Sequence, residues 1–410
     1  MVDSATLPTV SSSNYRKLLI ASATSNLGDG ISFVAIPLLA TSLTRDPMLV
    51  AGVSLAYAGA RLVASPFSGV VADRTDRRRL MVMANTARGV VLLGLAGLVA
   101  VDLATIPVLY AVFVVLGAFE TLVDVSAFAL LPAVVSSDQL TRANGQLAGA
   151  QTVLDEFVGP PLGGLLLGMS LALPLAVDAV TFLLAALLVA WIQGSFRPAV
   201  EAEHQVDAGT IRQELVAGLR YLLSERMLVA LAVSNFLSTV SYMAPFAVLA
   251  LWATQTIGLS PTEYGIVLTV SALGSLLGAL LATRVERRLG APATLRVMLG
   301  LGVMSYVALA LTTNPAAVAT LLGLYFFHTS VWTICFASMR QRLIPDQLMG
   351  RVSGAMRSFG LAGLVVGAAA GGVLAARFGL QAPFWFGAGL LVVALLLPLG
   401  QQQNELTRPQ

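Results

Sequence analysis

Charge is what this 410-residue chain has least of: Asp, Glu, Lys and Arg together make up only 11% of it. Soluble domains carry about a quarter charged residues, so a water-soluble enzyme of this length is excluded. Lysine is nearly absent, with Lys17 the only one, and the basic side chains are otherwise arginine. Cysteine is reduced to Cys335, which cannot close an intramolecular disulfide, so nothing points to an oxidised, stapled ectodomain. The first fifteen residues lack a basic stretch followed by a small-residue cleavage site, and no cleaved signal peptide is expected. There is no cluster with metal-ligand spacing, no Ser-His-Asp set and no phosphate-cradling glycine loop. No metal, cofactor or ATP site is therefore expected.

What the chain does have is hydrocarbon. Hydrophobic residues make up 57% of it and the mean hydropathy is +0.84. A helix needs about 20 apolar residues to cross a bilayer core, and apolar runs fall at 17–44, 49–72, 79–101, 105–131, 143–168, 171–193, 227–255, 262–283, 291–312, 316–338, 352–378 and 381–400. Continuous runs of this length exclude a membrane barrel, whose strands are short and alternate. The spacing predicts an all-α membrane protein of twelve transmembrane helices in two six-helix bundles. The predicted parts are an N-terminal bundle (1–193), a polar linker (194–226), a C-terminal bundle (227–400) and a cytoplasmic tail (401–410). In the linker Ile211, Leu215, Leu219 and Leu222 share one face, which predicts an amphipathic helix at the membrane surface.

Arginines orient the bundle. If the helices alternate, the connectors with Arg74, Arg77, Arg78 and Arg79, with Arg142, with Arg284, Arg287 and Arg288, and with Arg340, Arg342 and Arg351 all fall on one side. By the positive-inside rule that side is cytoplasmic and holds both termini. The net charge of +3 is thus a topology signal and predicts no nucleic-acid partner. An internal repeat runs at an offset of about 210 residues, as expected of parallel six-span halves: Asp73-Arg-Thr-Asp-Arg-Arg faces Thr283-Arg-Val-Glu-Arg-Arg, and Gly159, Gly163 and Gly164 face Gly367, Gly371 and Gly372.

The connector between spans two and three reads Gly69-Val-Val-Ala-Asp73-Arg74-Thr-Asp76-Arg77-Arg78. It resembles the loop signature of the major facilitator superfamily, at the place where that family carries it. The resemblance implies a cytoplasmic latch of Gly69, Asp73, Arg74, Arg77 and Arg78, whose charge contacts form in one state and break in the other. Thr283 replaces the acid in the second copy, so a weaker latch is expected there. Span five reads Asp155-Glu-Phe-Val-Gly159-Pro160-Pro161-Leu-Gly163-Gly164. It resembles the family's exporter-type helix motif of Gly159, Pro160, Gly163 and Gly164, with Asp155 in place of the motif's first glycine. Glycines four apart let two helices approach closely, and proline bends a span. The wider likeness is to the branch holding enterobactin and macrolide exporters, which implies proton-coupled export of small molecules.

Charges inside hydrocarbon cost at least a few kcal/mol unless they are paired or face water. They concentrate in the first half: Asp29, Arg61, Arg88, Glu120, Asp124, Asp155, Glu156 and Asp178. Depth along the spans pairs Asp29 with Arg61 and Arg88 with Asp124, either as self-neutralising pairs or as a working relay. Acids outnumber bases, and Asp29, Glu120 or Asp155 is expected to carry the proton. In the second half His328 sits mid-span, as a helix–helix hydrogen bonder or a relay. Phe33, Tyr242, His328 and Trp332 are candidates to line a central cavity.

The expected function is a secondary transporter that exchanges a small amphipathic molecule, a drug, an antibiotic or a siderophore, for protons by alternating access. The expected setting is the inner membrane, as a monomer surrounded by lipid. Uptake by the same fold is the rival reading, and a non-transporting membrane sensor is the reading from another class.

Overall fold

The computed structural model describes residues 13–136, 139–194, 196, 218–345 and 348–398. Among them there is no strand, since a medium without water leaves the backbone to satisfy itself within each helix. The helices are α1 (Ser13–Leu43), α2 (Pro47–Arg74), α3 (Arg77–Ala100), α4 (Ile106–Val134), α5 (Leu140–Gln151), α6 (Gly159–Met169), α7 (Leu173–Ala190), α8 (Arg226–Phe246), α9 (Leu249–Trp252), α10 (Pro261–Leu289), α11 (Ala291–Leu311), α12 (Pro315–Leu343), α13 (Met349–Phe378) and α14 (Ala382–Leu395). Side chains stop and start them. Asp76 accepts the Arg79 N–H at 3.1 Å to cap α3, and Ser260 and Glu263 cap α10 reciprocally.

Ten of these helices are long and apolar enough to cross a membrane, against twelve expected runs. The difference lies in runs five and twelve. Run twelve is the shorter apolar helix α14, of 14 residues, and its end past residue 398 lies outside the described residues. Run five is divided. Pro160 and Pro161 have no N–H to offer the carbonyls one turn back, and the ladder widens ahead of them into a π-helical stretch, Thr152–Val158. There the Gly159 N–H bonds to the Leu154 carbonyl, five residues back. Turns of this kind mark places where a helix carries more than its own ladder.

The helices pack into two compact units. The first draws on Met1–Ala35, Val63–Ala104 and Val115–Val200. Its core gathers Tyr15, Leu18, Leu130, Leu131, Ala185 and Val189, and the Tyr15 hydroxyl donates to Gln146 Oε1 at 2.7 Å. Here α1 meets the fifth run backbone to backbone. A Cβ on Gly159 would stand 2.5 Å from the Gly30 Cα, and one on Gly163 would meet the Ile31 carbonyl.

The second unit draws on Ile36–Leu62, Thr105–Val114 and Glu201–Gln410. Within it α8 packs on α13 and α14, α10 on α12, and α11 on α12 and α14. The hairpin between α1 and α2 belongs to it as well: Ala51 joins Ala247, Val248, Ala368 and Ala375 in one apolar cluster. Gly372 of α13 leaves the room for this, because a Cβ there would stand 2.8 Å from the Ala51 Cβ.

Of the expected linker helix, Ile211 and Leu215 lie outside the described residues, while 218–223 contains a helical stretch with Leu222 buried and Leu219 exposed. The expected tail, 401–410, also lies outside.

A side chain at Gly159 must push α1 and the fifth run apart. Gly159→Val is expected to cost about 1–3 kcal/mol through overpacking and to lower the thermal unfolding midpoint in detergent. Gly145→Ala, where nothing stands within 4 Å of the added Cβ, should leave the midpoint within error or raise it.

Candidate functional site

Four helices and the π-helical stretch of the first unit bring chemistry to one level. Arg88 of α3 is 2% exposed. Its Nη2 donates to Asp29 Oδ1 of α1 at 2.6 Å, and the same nitrogen stands 3.9 Å from Glu120 Oε2 of α4. The guanidinium lies over the Phe182 ring of α7, 3.8 Å from its centroid, a contact that strengthens where water is excluded. Glu120 is within electrostatic reach of Asp29, Asp124 and Asp155. Asp124 lies one turn beyond it on α4, and Asp155 comes from the π-helical stretch.

Asp178 of α7 completes the group. It is 1% exposed and accepts the hydroxyls of Ser32 and Thr181, the latter at 3.3 Å. Gly28 makes this possible, since a Cβ there would collide with the Asp178 carboxylate and the Thr181 hydroxyl. The Arg88 and Asp29 charges both reach Asp178.

The depth pairing is corrected by this geometry. Asp29 finds Arg88, where Arg61 was expected, and Arg88 turns to Asp29 and Glu120, where Asp124 was expected. Distance along a span gives the level of a side chain in the bilayer but not the azimuth at which its helix presents it. Arg61 lies over the Tyr57 ring, 5.5 Å from its centroid, within the second unit. Asp178 was legible as an intramembrane acid but not as part of this group, because its partners Ser32 and Thr181 are ordinary residues to a reader of sequence. The Glu156 side chain lies outside the described residues.

The loop motif is anchored to carbonyls. Arg77 Nη1 donates to the Ala129 carbonyl at 2.9 Å and Arg78 Nη1 to the Ile192 carbonyl at 2.6 Å, close to the ends of α4 and α7, where cations suit the helix dipole. Gly69 lies in α2 with open space where its Cβ would be, Arg74 is exposed, and the Asp73 side chain lies outside the described residues. In the second copy Glu286 pairs with Arg342 of α12 at 3.1 Å.

The residues expected to line a cavity are distributed differently. Phe33 belongs to the first unit and is half-exposed. His328 is 2% exposed; its Nδ1 lies 2.9 Å from the Tyr325 carbonyl, and its ring fills the space opposite Gly302 of α11. The bond stays within α12, and the ring packs against α11. Tyr242 stacks on Phe246, 4.4 Å between centroids, and Trp332 on Phe336 at 4.9 Å. Among the described residues no three His, Cys, Asp or Glu side chains are grouped to hold a metal.

Chemically, the first-unit group is one guanidinium shared among carboxyl groups that outnumber it.

Known proteins resemble this chain over most of its length. The family model described as Major Facilitator Superfamily matches residues 18–363 and 231–409. The Enterobactin exporter EntS of Shigella boydii serotype 4 (strain Sb227) is 27% identical over 396 residues, 94% of this chain and 91% of that protein. The Multidrug efflux pump Tap of Mycolicibacterium fortuitum is 29% identical over 396 residues, 93% of this chain and 92% of that one. Among solved structures, a mutant of the nucleoside transporter NupG superposes with a TM-score of 0.78 at 12% identity, covering 93% of this chain and 98% of its own.

Removing one partner of a buried pair leaves the other uncompensated. Arg88→Gln is expected to cost about 3–5 kcal/mol, read as a lowered unfolding midpoint in detergent, and adding Asp29→Asn should recover part of the loss. Arg61→Gln, outside this group, should lower the midpoint less than Arg88→Gln.

Proposed function

The chain belongs to the Major Facilitator Superfamily, as a multi-pass membrane transporter rather than an enzyme, and we propose that it exports a small amphipathic molecule in exchange for protons. The observation that carries the coupling is Arg88, held at 2.6 Å by Asp29 and at 3.9 Å by Glu120 in a group with more carboxyls than cations. Such a group takes up and gives up protons when its surroundings change between wet and dry. Asp29 keeps 31% of its side chain exposed, which supports it as the group that meets water. Glu120 is the inner acceptor for the freed guanidinium.

The halves 1–193 and 227–400, joined by 194–226, alternate between two packings, in the manner of parallel-repeat transporters. The Ala51 cluster with Ala368 and Ala375 lies at the ends of α2 and α13 remote from the arginine loops, and it is the packing that must part in the other half of the cycle. Arg77 and Arg78, tied to carbonyls of their own unit, serve as the anchored side of the latch. The basic connectors support a cytoplasmic rim with both termini in the cytoplasm of an inner-membrane monomer. The relatives named as an enterobactin exporter and a multidrug efflux pump support export as the direction and a small amphipathic molecule as the cargo.

The test uses everted membrane vesicles with an imposed pH gradient, a pH-sensitive dye and a panel of amphipathic anions and cations. At least one compound should be taken up with linked proton efflux, and Glu120→Gln should reduce that flux to background at unchanged protein level. Movement of no compound, or transport indifferent to the gradient, contradicts the coupling.

A further inference from the structure

Inside the second unit, away from the coupling group, lies a cavity of about 550 Å³, within the size range of drug-sized ligand sites. Three helices build it, each with one face. On α12, Phe336 and Arg340 stand four residues apart and so share a side of the helix, with Trp332 one turn before them outside the lining. On α13, Ser353 and Arg357 stand one turn apart. On α8, Asn235 and Thr239 do the same, with the Thr239 hydroxyl donating to the Asn235 carbonyl at 2.7 Å. Asn235, Thr239, Phe336, Arg340, Ser353 and Arg357 line the space, and among its described lining residues both charges are positive. Gly360 and Gly363 bring α13 close to α8 beside it, since a Cβ on Gly360 would stand 3.3 Å from the Asn235 amide nitrogen.

An arginine near a helix end ordinarily extends to water. Arg340 departs from that reading, because its Nε is buried with no hydrogen-bond partner. Two turns deeper on the same face, the Trp332 indole N–H is also buried without an acceptor, and its ring stacks on Phe336 at an interplanar angle of 11°. A buried donor left unpaired is costly, and here such donors accompany a cavity that holds two guanidinium groups and an aromatic wall. Guanidinium forks match the planar oxygens of a carboxylate or phosphate, and an aromatic wall suits a flat apolar body.

We propose that this cavity binds an organic anion, with its acidic group between Arg340 and Arg357 and its aromatic body against Phe336, and that this anion is the cargo. The proposal rests on the export reading and specifies its substrate class. The units then divide the work, with carboxyls for protons in the first and arginines for an anion in the second. The same anionic oxygens are offered by a phospholipid headgroup, which basic pockets between spans also attract.

The experiment measures equilibrium binding of salicylate and of its neutral amide, salicylamide, to the full chain in nanodiscs of phosphatidylcholine. Salicylate should bind more tightly than salicylamide. Arg340→Gln with Arg357→Gln should weaken salicylate by about tenfold or more, the loss of charge-assisted hydrogen bonds, and leave salicylamide unchanged. Arg340→Lys with Arg357→Lys should restore part of the affinity, which separates loss of charge from misfolding, and Arg377→Gln should have no effect. Equal binding of the two compounds, or equal losses in the Arg377→Gln control, overturns the proposal. Discs containing phosphatidylglycerol distinguish the sources: unchanged salicylate affinity supports the cargo assignment, and displacement of salicylate by that lipid overturns it in favour of a headgroup site. Glu120→Gln should bind salicylate normally, so failure of proton coupling and failure of this site are separate results.

Discussion

A guanidinium buried in hydrocarbon must be neutralised where it sits, and Arg88 is the constraint around which the first unit is arranged. Asp29 answers it directly at 2.6 Å, and Phe182 covers its face. For these contacts to form, α3 must lie against α1 and α7 at one level. The glycines make that possible. A Cβ on Gly89, one residue from Arg88, would press on Leu183 and on the Ala179 carbonyl of α7, while Gly28 clears space for Asp178 and Thr181. Close approach and charge burial are therefore parts of one arrangement. Charged groups left in lipid cost several kcal/mol, so helices that place Arg88 wrongly do not form a competing fold.

The fifth run extends the same logic. Its prolines remove two N–H donors, the widened turn ahead of them contains Asp155, and the glycines that follow lay the run along α1 at Gly30 and Ile31. A carboxyl group, a weak point in the ladder and a backbone-to-backbone contact thus fall within about two turns. Among its described residues, the second unit has no counterpart of the acid group around Arg88. Its loop copy holds Glu286 against Arg342 at the rim, and its interior is aromatic, with Tyr306 stacked on Tyr325 at 4.2 Å and His328 packed beside them.

Much of this was readable from residue order. Sparse charge and long apolar runs implied membrane helices, and the loop and glycine motifs pointed to the family. The intramembrane acids marked the half of the chain that holds the group around Arg88. What was not readable was azimuth. Asp29 and Arg61 sit at matching depths, yet the partner is Arg88, because rotation of a helix about its axis is set by packing and not by position along the chain. The contacts of Asp178 with Ser32, and of Arg340 with a cavity shared by α8 and α13, depend on residues of other helices that carry no signal of their own. The π-helical stretch was only half legible: Pro160 and Pro161 announced a break in the ladder, but not that it would widen into the turn holding Asp155.

The account stands on the claim that the carboxyl group around Arg88 exchanges a proton. Infrared difference spectroscopy of the purified protein in lipid vesicles, stepped in pH across neutrality, observes it directly. The account predicts a protonated-carboxyl C=O band that grows and fades with the pH step, disappears in Asp29→Asn and shifts in Arg88→Gln. Absence of any such band in the wild-type protein at every pH, with all these carboxylates permanently charged, would contradict it.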